Sequence, residues 1–205
     1  MIERVSEACG QDVSRETFAK LEAYVALLIV GAGTQNLVGR STIEDIWERH
    51  VVDSAQLLRF APDNGKWVDI GSGAGLPGLV VAILSDRKVT LNEPRRLRAG
   101  FLQDCVQVLG LSERVTVADC SAAALSGQFD VISARAVASV EKLFTMAHHL
   151  SHPGTVWVLP KGRTGKNELA QARQGWQGRF EARPSITDND AVIVVARDVA
   201  PRGSA

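Results

Sequence analysis

The run Asp69-Ile70-Gly71-Ser72-Gly73-Ala74-Gly75-Leu76-Pro77-Gly78 constrains this chain more than any other. It joins a strand ending in a carboxylate to a glycine-rich turn and a proline-started helix. Trp67 to Ile70 read as the end of a buried strand. The glycines permit backbone angles, and a closeness of approach, that a β-carbon forbids. Pro77 suits a first helical turn, where its missing N–H costs nothing. The unpaired N–H groups of such a turn face a ligand, and a carboxylate or phosphate there gains about 0.3 to 1 kcal/mol from the helix dipole. This is a turn built to handle a nucleotide.

Two cofactor classes use such a turn. Gly73-x-Gly75-x-x-Gly78 matches the dinucleotide fingerprint, with Glu93 lying 20 residues after Gly73 where a ribose-binding acid belongs. A loop this rich in glycine contains that match by choice of register. The other register, Asp69-x-Gly71-x-Gly73-x-Gly75, is the S-adenosylmethionine pattern, and it accounts for the carboxylate that ends the strand. A pyrophosphate is repelled by Asp69, whereas S-adenosylmethionine carries no phosphate and has an ammonium and a sulfonium. The methyl-donor reading is therefore preferred. An NAD(P)-dependent oxidoreductase is the alternative, and a glycine-rich turn without a ligand is the third.

With 205 residues, the chain has room for one substantial domain and an extension. The apolar runs Tyr24 to Val30 and Leu79 to Leu84 are far shorter than the roughly 18 residues of a membrane helix. The N-terminus lacks a basic region followed by an apolar core, so a cytoplasmic protein is expected, with no membrane contact. Cys9, Cys105 and Cys120 are scattered and odd in number, which argues against a disulfide framework and a zinc site. Cys105 fits a helix core. His148, His149 and His152 lack accompanying ligands and read as a helix end, not a metal site.

The 23 basic and 23 acidic residues balance, so any nucleic-acid signal lies in their distribution. Arg87, Lys88, Arg95, Arg96 and Arg98 face one acid, Glu93, in the same stretch. Between Lys161 and Arg183 there are six bases, Arg163 among them, against Glu168 and Glu181. Each cluster alone reads as a solvated face. Placed on either side of a cofactor site, together they point to a polyanionic substrate.

The first sixty residues read as helical. Phe18, Leu21, Val25 and Leu28 form one stripe, which Gly31 to Gly33 end, and Ser41 with Glu44 makes a capping box that opens a second helix. Ile43, Ile46, Trp47, Val51, Leu57 and Leu58 mark that helix's buried side, with His50 as a packed, hydrogen-bonded core residue. From Lys66, strands at 67–70, 88–92, 115–118, 129–133, 155–159 and 191–196 alternate with helices. Leu97, Phe101, Leu102, Cys105, Val106 and Leu109 stripe one helix, with Gly110 capping its end. This alternation implies an α/β fold, a mostly parallel sheet covered on both faces. Ligands then sit at the strands' carboxyl ends, which brings residues 69–76, Glu93, residues 119–122 and Arg135 to one rim. The expected division is a helical extension over 1–60, a Rossmann-like domain over 61–200 and a free tail over 201–205, forming one structural unit.

Asn36-Leu37, Arg49-His50-Val51-Val52-Asp53-Ser54, the run ending Leu76-Pro77-Gly78, and Ser133-Ala134-Arg135-Ala136 together resemble a known family. It is the bacterial 16S rRNA guanine-N7 methyltransferase family, also called glucose-inhibited division protein B. The resemblance covers roughly residues 35–162. It implies a class I S-adenosylmethionine-dependent methyltransferase fold with an N-terminal helical extension, and a 16S rRNA or small-subunit precursor as substrate. It implies no obligate protein partner. The cofactor contacts it implies are Gly71 and Leu76 in the turn, Ser121 and Ala122 after the third strand and Arg135 after the fourth; Gly73 joins them from the glycine pattern, and Glu93, at the ribose-binding position, matches the family's acidic position after the second strand. The family often carries alanine and glutamate where this chain has Ser121-Ala122, so a side-chain contact to the adenine is lost, supplied by the backbone there, or taken over by Asp119. Asn92 and Pro94 replace its usual leucine and serine. Arg95, Arg96, Arg98, Lys161 and Arg163 are the RNA-binding candidates. Because guanine N7 carries a lone pair and no hydrogen, no catalytic residue is assigned, with Arg135 as a positioning candidate. A methyltransferase-like module that binds S-adenosylmethionine or RNA without turnover is the other reading.

Overall fold

The computed structural model describes residues 1–35, 37–39 and 43–203. Strands β1 (Trp67–Ile70), β2 (Val89–Asn92), β3 (Val115–Ala118), β4 (Val131–Ser133) and β5 (Val156–Lys161) pair in parallel. β6 (Trp176–Pro184) and β7 (Val192–Pro201) form an antiparallel hairpin, whose second strand adds to β5. The sheet order is β3-β2-β1-β4-β5-β7-β6. Strand order reverses at β1, which lies between β2 and β4, and that switch point opens a crevice at its carboxyl end.

The central parallel strands are mostly apolar because both of their faces are covered, with Asp69, Asn92 and Ser133 as buried polar exceptions, whereas the edge strand β3 is partly exposed. Alternate residues of β1 point into different cores: Trp67 joins Leu21, Tyr24, Leu28, Leu79 and Leu102 on one face. Val68 and Ile70 join Phe144, Trp157 and Leu159 on the other. The first face is covered by α1 (Ile2–Cys9), α2 (Arg15–Thr34), a π-helical turn at Trp47–Val52, α3 (Asp53–Ala55), a 3-10 turn at Gln56–Phe60, α4 (Gly78–Leu84) and α5 (Arg96–Val108). The second is covered by α6 (Val140–Ala147) and α7 (Gly165–Gly175), with Phe144 edge-on to Trp157 at 5.0 Å.

Several local expectations are corrected. Gly31 and Gly33 do not stop α2, which runs on to Thr34. A β-carbon on Gly31 would lie 2.7 Å from Leu37 Cδ1 and 2.8 Å from Phe101 Cε2, so this glycine serves helix packing. Ser41, the proposed cap, lies outside the described residues, as does Asn36. Leu97 is 77% exposed and leaves the α5 stripe, whereas Gly110, at φ 66°, does follow the end of that helix. The basic stretch around Arg179 is a strand, and its Phe180 stacks 5.9 Å from Phe144. Pro201 is the last residue of β7, and Arg202 donates its N–H to Gly175 O and its Nε to Arg173 O. The chain is thus tied through Arg202, where a tail starting at Pro201 was expected; Ser204 and Ala205 lie outside the described residues. His148, His149 and His152 turn to three different partners, Val199 O, Leu125 O and the Asp130 carboxylate. Among the described residues, no helix is long and apolar enough to cross a membrane.

Candidate active site

The turn after β1 holds Gly71, Gly73 and Gly75 at φ 66°, 58° and 95°, the left-handed region that disfavours a β-carbon. Ser72 fixes the turn from within: its N–H donates to Asn92 O (2.9 Å), its Oγ to Asp69 O (2.9 Å), and its carbonyl accepts from Gly75 N (2.7 Å). Asp69 does not line the rim as an open carboxylate. It is fully buried, with Oδ2 accepting from the Gly78 N–H (3.1 Å) and Oδ1 from Ser133 Oγ (2.7 Å). Ser133 Oγ in turn accepts from Trp67 Nε1 (2.8 Å). Asp69 therefore pins β1 to β4 and to the start of α4. Burial pushes its pKa up to about 6, against the pull of its hydrogen bonds and of Arg135.

The carboxylate that does meet the turn belongs to Glu93. The register Ile70↔Asn92 places it beside Gly73, whose N–H it accepts at Oε2 (2.9 Å), while Oε1 accepts from the Arg95 N–H (2.9 Å). One side chain thus joins the glycine turn to the start of α5, and each oxygen keeps further acceptor capacity. The Asn92↔Ala118 pairing brings the next segment to the same rim. There Asn92 Nδ2 donates to Cys120 O (2.8 Å), Ser121 is exposed, Ala122 is buried and Asp119 is exposed. From the other side, the Tyr24 hydroxyl on α2 donates to Ala74 O (2.9 Å).

Arg135 follows β4 and turns toward the π-helical segment. Its Nη1 donates to Arg49 O and Asp53 Oδ2, both at 3.3 Å, and its Nη2 to His50 Nδ1 at 3.0 Å. Asp53 Oδ1 also accepts from Gln56 Nε2 (2.9 Å) and Thr187 Oγ1 (2.8 Å). His50 is buried, and burial first, then Arg135 and Arg49, brings its pKa down to about 4. Its ring is neutral at pH 7, as an acceptor facing a guanidinium must be. Reading His50 as a packed, hydrogen-bonded core residue left its partner, Arg135, unnamed. The available signal was the spacing of His50 and Asp53, which helical structure places on one face.

A cleft of about 820 Å³ opens beside Arg135, walled by Arg49, Asp53, residues 135–138, Lys161 and the segment carrying Ser185, Thr187 and Asp188. It adjoins the glycine turn through Val137: a β-carbon on Gly71 would lie 2.6 Å from Val137 Cγ2. Ala136, just before it, sits at φ 57°, a left-handed conformation that costs a non-glycine residue about 1 to 2 kcal/mol.

The basic candidates divide. Arg95 and Arg96 are exposed at the start of α5, Arg98 lies behind them with Nη1 3.9 Å from the β-carbon position of Gly73, and Arg163 is exposed. Lys161 is corrected. Its side chain is 8% exposed, Nζ lies 3.1 Å from Glu168 Oε2 and also donates to Ala138 O, so it braces the cleft loop and is not open to phosphate. Arg87, at the opposite end of β2, is buried against the carbonyls of Pro62 and Asn64 and leaves the first cluster.

A parallel sheet switching at β1, a glycine turn after that strand and an acid after the next define the class I S-adenosylmethionine-dependent methyltransferase fold. Solved structures share it. The glycopeptide N-methyltransferase MtfA matches at TM-score 0.60 and 12% identity, covering 70% of this chain and 89% of that one. P. horikoshii TYW2 in complex with MeSAdo matches at TM-score 0.57 and 14% identity, covering 72% and 61%. Residues 17–189 match the GidB family model, described as rRNA small subunit methyltransferase G, and the chain belongs to that family. Proteins named ribosomal RNA small subunit methyltransferase G from Rhizorhabdus wittichii and Zymomonas mobilis subsp. mobilis are 48% and 42% identical to it. Each alignment covers 93% of this chain and 90% of the relative.

Proposed function

We propose that this protein transfers a methyl group from S-adenosylmethionine to N7 of a guanine in 16S rRNA, acting in the cytoplasm on the free RNA or a small-subunit precursor. The observation that carries the reading is the Glu93 carboxylate on the Gly73 N–H. A dinucleotide pyrophosphate needs that amide and is repelled by that charge. A ribose with two hydroxyl donors instead suits the remaining lone pairs of Glu93. A β-carbon on Gly73 would meet nothing closer than 3.8 Å, so the turn presents open surface on this side. The residues therefore fit the cofactor, with Gly71, Gly73, Leu76 and Glu93 at the ribose and methionyl part. Ser121 and Ala122 lie at the adenine, read by their backbone or by Asp119.

Bound S-adenosylmethionine supplies an electrophilic methyl group on a sulfonium. The protein's task is placement, because N7 needs no base to make it nucleophilic. Holding nucleophile and methyl carbon in line is worth about 7 to 11 kcal/mol. Arg95, Arg96, Arg98 and Arg163 supply phosphate contacts around the rim.

The test is methyl transfer from labelled cofactor to undermethylated 16S rRNA, with the product mapped by chain cleavage specific to N7-methylguanine. Label in a guanine at N7 is expected; label at any other atom, or none, refutes the reading. Glu93→Ala should raise the cofactor dissociation constant about tenfold or more, since hydrogen bonds to a charged group contribute about 1.5 to 3 kcal/mol. An unchanged constant in calorimetry would move the ribose anchor to Asp119.

A further inference from the structure

We propose that the cleft beside the glycine turn receives the acceptor guanine, that Arg135 donates a hydrogen bond to its O6, and that His50 and Asp53 are positioning residues for Arg135. The inference rests on the guanine-methylation reading and specifies how that base is held.

Four observations converge. The cleft, at about 820 Å³, falls in the range of sites that bind small molecules, and its wall residue Val137 lies against Gly71, the first glycine of the turn. The lining carries five acidic residues against three basic ones, which disfavours a backbone phosphate. The same charge favours a base with a donor edge, and a product that becomes cationic on methylation. Arg135 offers five N–H donors, of which Arg49 O, Asp53 and His50 take three. Its Nε proton and second Nη2 proton have no protein acceptor among the described residues. Finally, the guanidinium is held by partners on a single helical segment, so its direction is set before any substrate arrives.

Guanine presents O6 and N7 as adjacent acceptors on one edge, and arginine is its commonest reader. One bond to O6 holds that edge while leaving the N7 lone pair free to attack. His50, Asp53 and the Arg49 carbonyl are what stop the side chain from swinging onto N7 itself.

The experiment replaces the mapped guanine in the RNA by 2-aminopurine, which keeps N7 and lacks O6. The unaltered protein should methylate the guanine RNA with a kcat/KM about tenfold or more above the 2-aminopurine RNA; equal values overturn the proposal without any variant. Arg135→Gln, assayed at saturating S-adenosylmethionine because Arg135 is also a candidate cofactor contact, should bring that ratio close to one. His50→Leu should lower the ratio in the same direction. His50→Asn, which keeps an acceptor near the place of Nδ1, should restore it. A merely structural role for His50 would lower melting temperature and both affinities and leave the ratio intact, and that result also overturns the proposal. Absence of any transfer to guanine RNA by the unaltered protein would instead refute the underlying methylation reading.

Discussion

Asp69 and His50 are buried titratable groups near the same rim, and their burial acts on stability with opposite sign. Asp69 has a folded pKa of about 6 against an ordinary 3.8, so between those values the folded state binds more protons and stability falls as pH rises. His50 has a folded pKa of about 4 against 6.5, so there the unfolded state binds more protons and stability rises with pH. At 1.36 kcal/mol per pKa unit each effect is on the order of 3 kcal/mol, and they nearly cancel over pH 4 to 6. Two asparagine variants should separate them. Relative to the parent, Asp69→Asn should gain stability progressively from about pH 4 to pH 6, because an amide still accepts from Gly78 without a buried charge. His50→Asn should lose the rise, so its stability relative to the parent falls from about pH 4 to pH 6.5. Urea midpoints across this range decide the matter: parallel curves for all three proteins would mean that neither group titrates as its surroundings require.

Among the elements, α5 is built against its own dipole. Its first turn holds no acid, Arg95 stands at its N-cap without a side-chain cap bond, and Arg96 and Arg98 follow. Cations at a helix N-terminus cost about 0.3 to 1 kcal/mol each, partly offset here by Glu93 accepting the Arg95 N–H. Such an arrangement makes sense if the helix start meets phosphate. Arg95→Gln with Arg96→Gln should therefore stabilise the protein by about 0.5 to 1 kcal/mol. The same pair should weaken RNA binding and flatten the log-log salt dependence by about 0.7 per lost contact. An unaltered salt slope would return these arginines to ordinary surface. The elements also differ in how far the sequence exposes them. β1 to β5 are legible because they are short, mostly apolar runs that alternate with helical patterns. β6 is not: it is an edge strand with Arg179, Glu181 and Arg183 outward and a register shift between Gln177 and Arg179, so it reads as basic loop. In the site, Gly71, Gly73 and Glu93 are legible because neighbouring parallel strands bring their own ends together. The Arg135–His50 contact spans 85 positions, and the burial of Lys161 depends on Glu168 and Ala138, which counting charges cannot see.

Across the whole molecule, the N-terminal helices share one core with the sheet. Val5, Leu21, Tyr24 and Leu28 belong to the same buried cluster as Trp67, Leu79 and Leu102, and Tyr24 reaches from α2 to the carbonyl of Ala74 within the cofactor turn. Residues 1–60 should accordingly behave as part of one cooperative unit. Removing them would strip one face of β1, α4 and α5 of its cover and leave the turn without its outer tie. Denaturant unfolding of the full chain should then show one transition, coincident by circular dichroism and tryptophan fluorescence. A fragment spanning 61–205 should lack a cooperative transition and show no melting shift with S-adenosylmethionine. Tyr24→Phe should keep the fold and weaken cofactor binding several-fold, in line with about 1 kcal/mol for the bond to the Ala74 carbonyl. A fragment that melts cooperatively and binds the cofactor as tightly as the full chain would make the helical extension a separate unit whose contact with the turn is incidental. The Tyr24 variant distinguishes this case from mere truncation damage, because it alters the turn and leaves the apolar core in place.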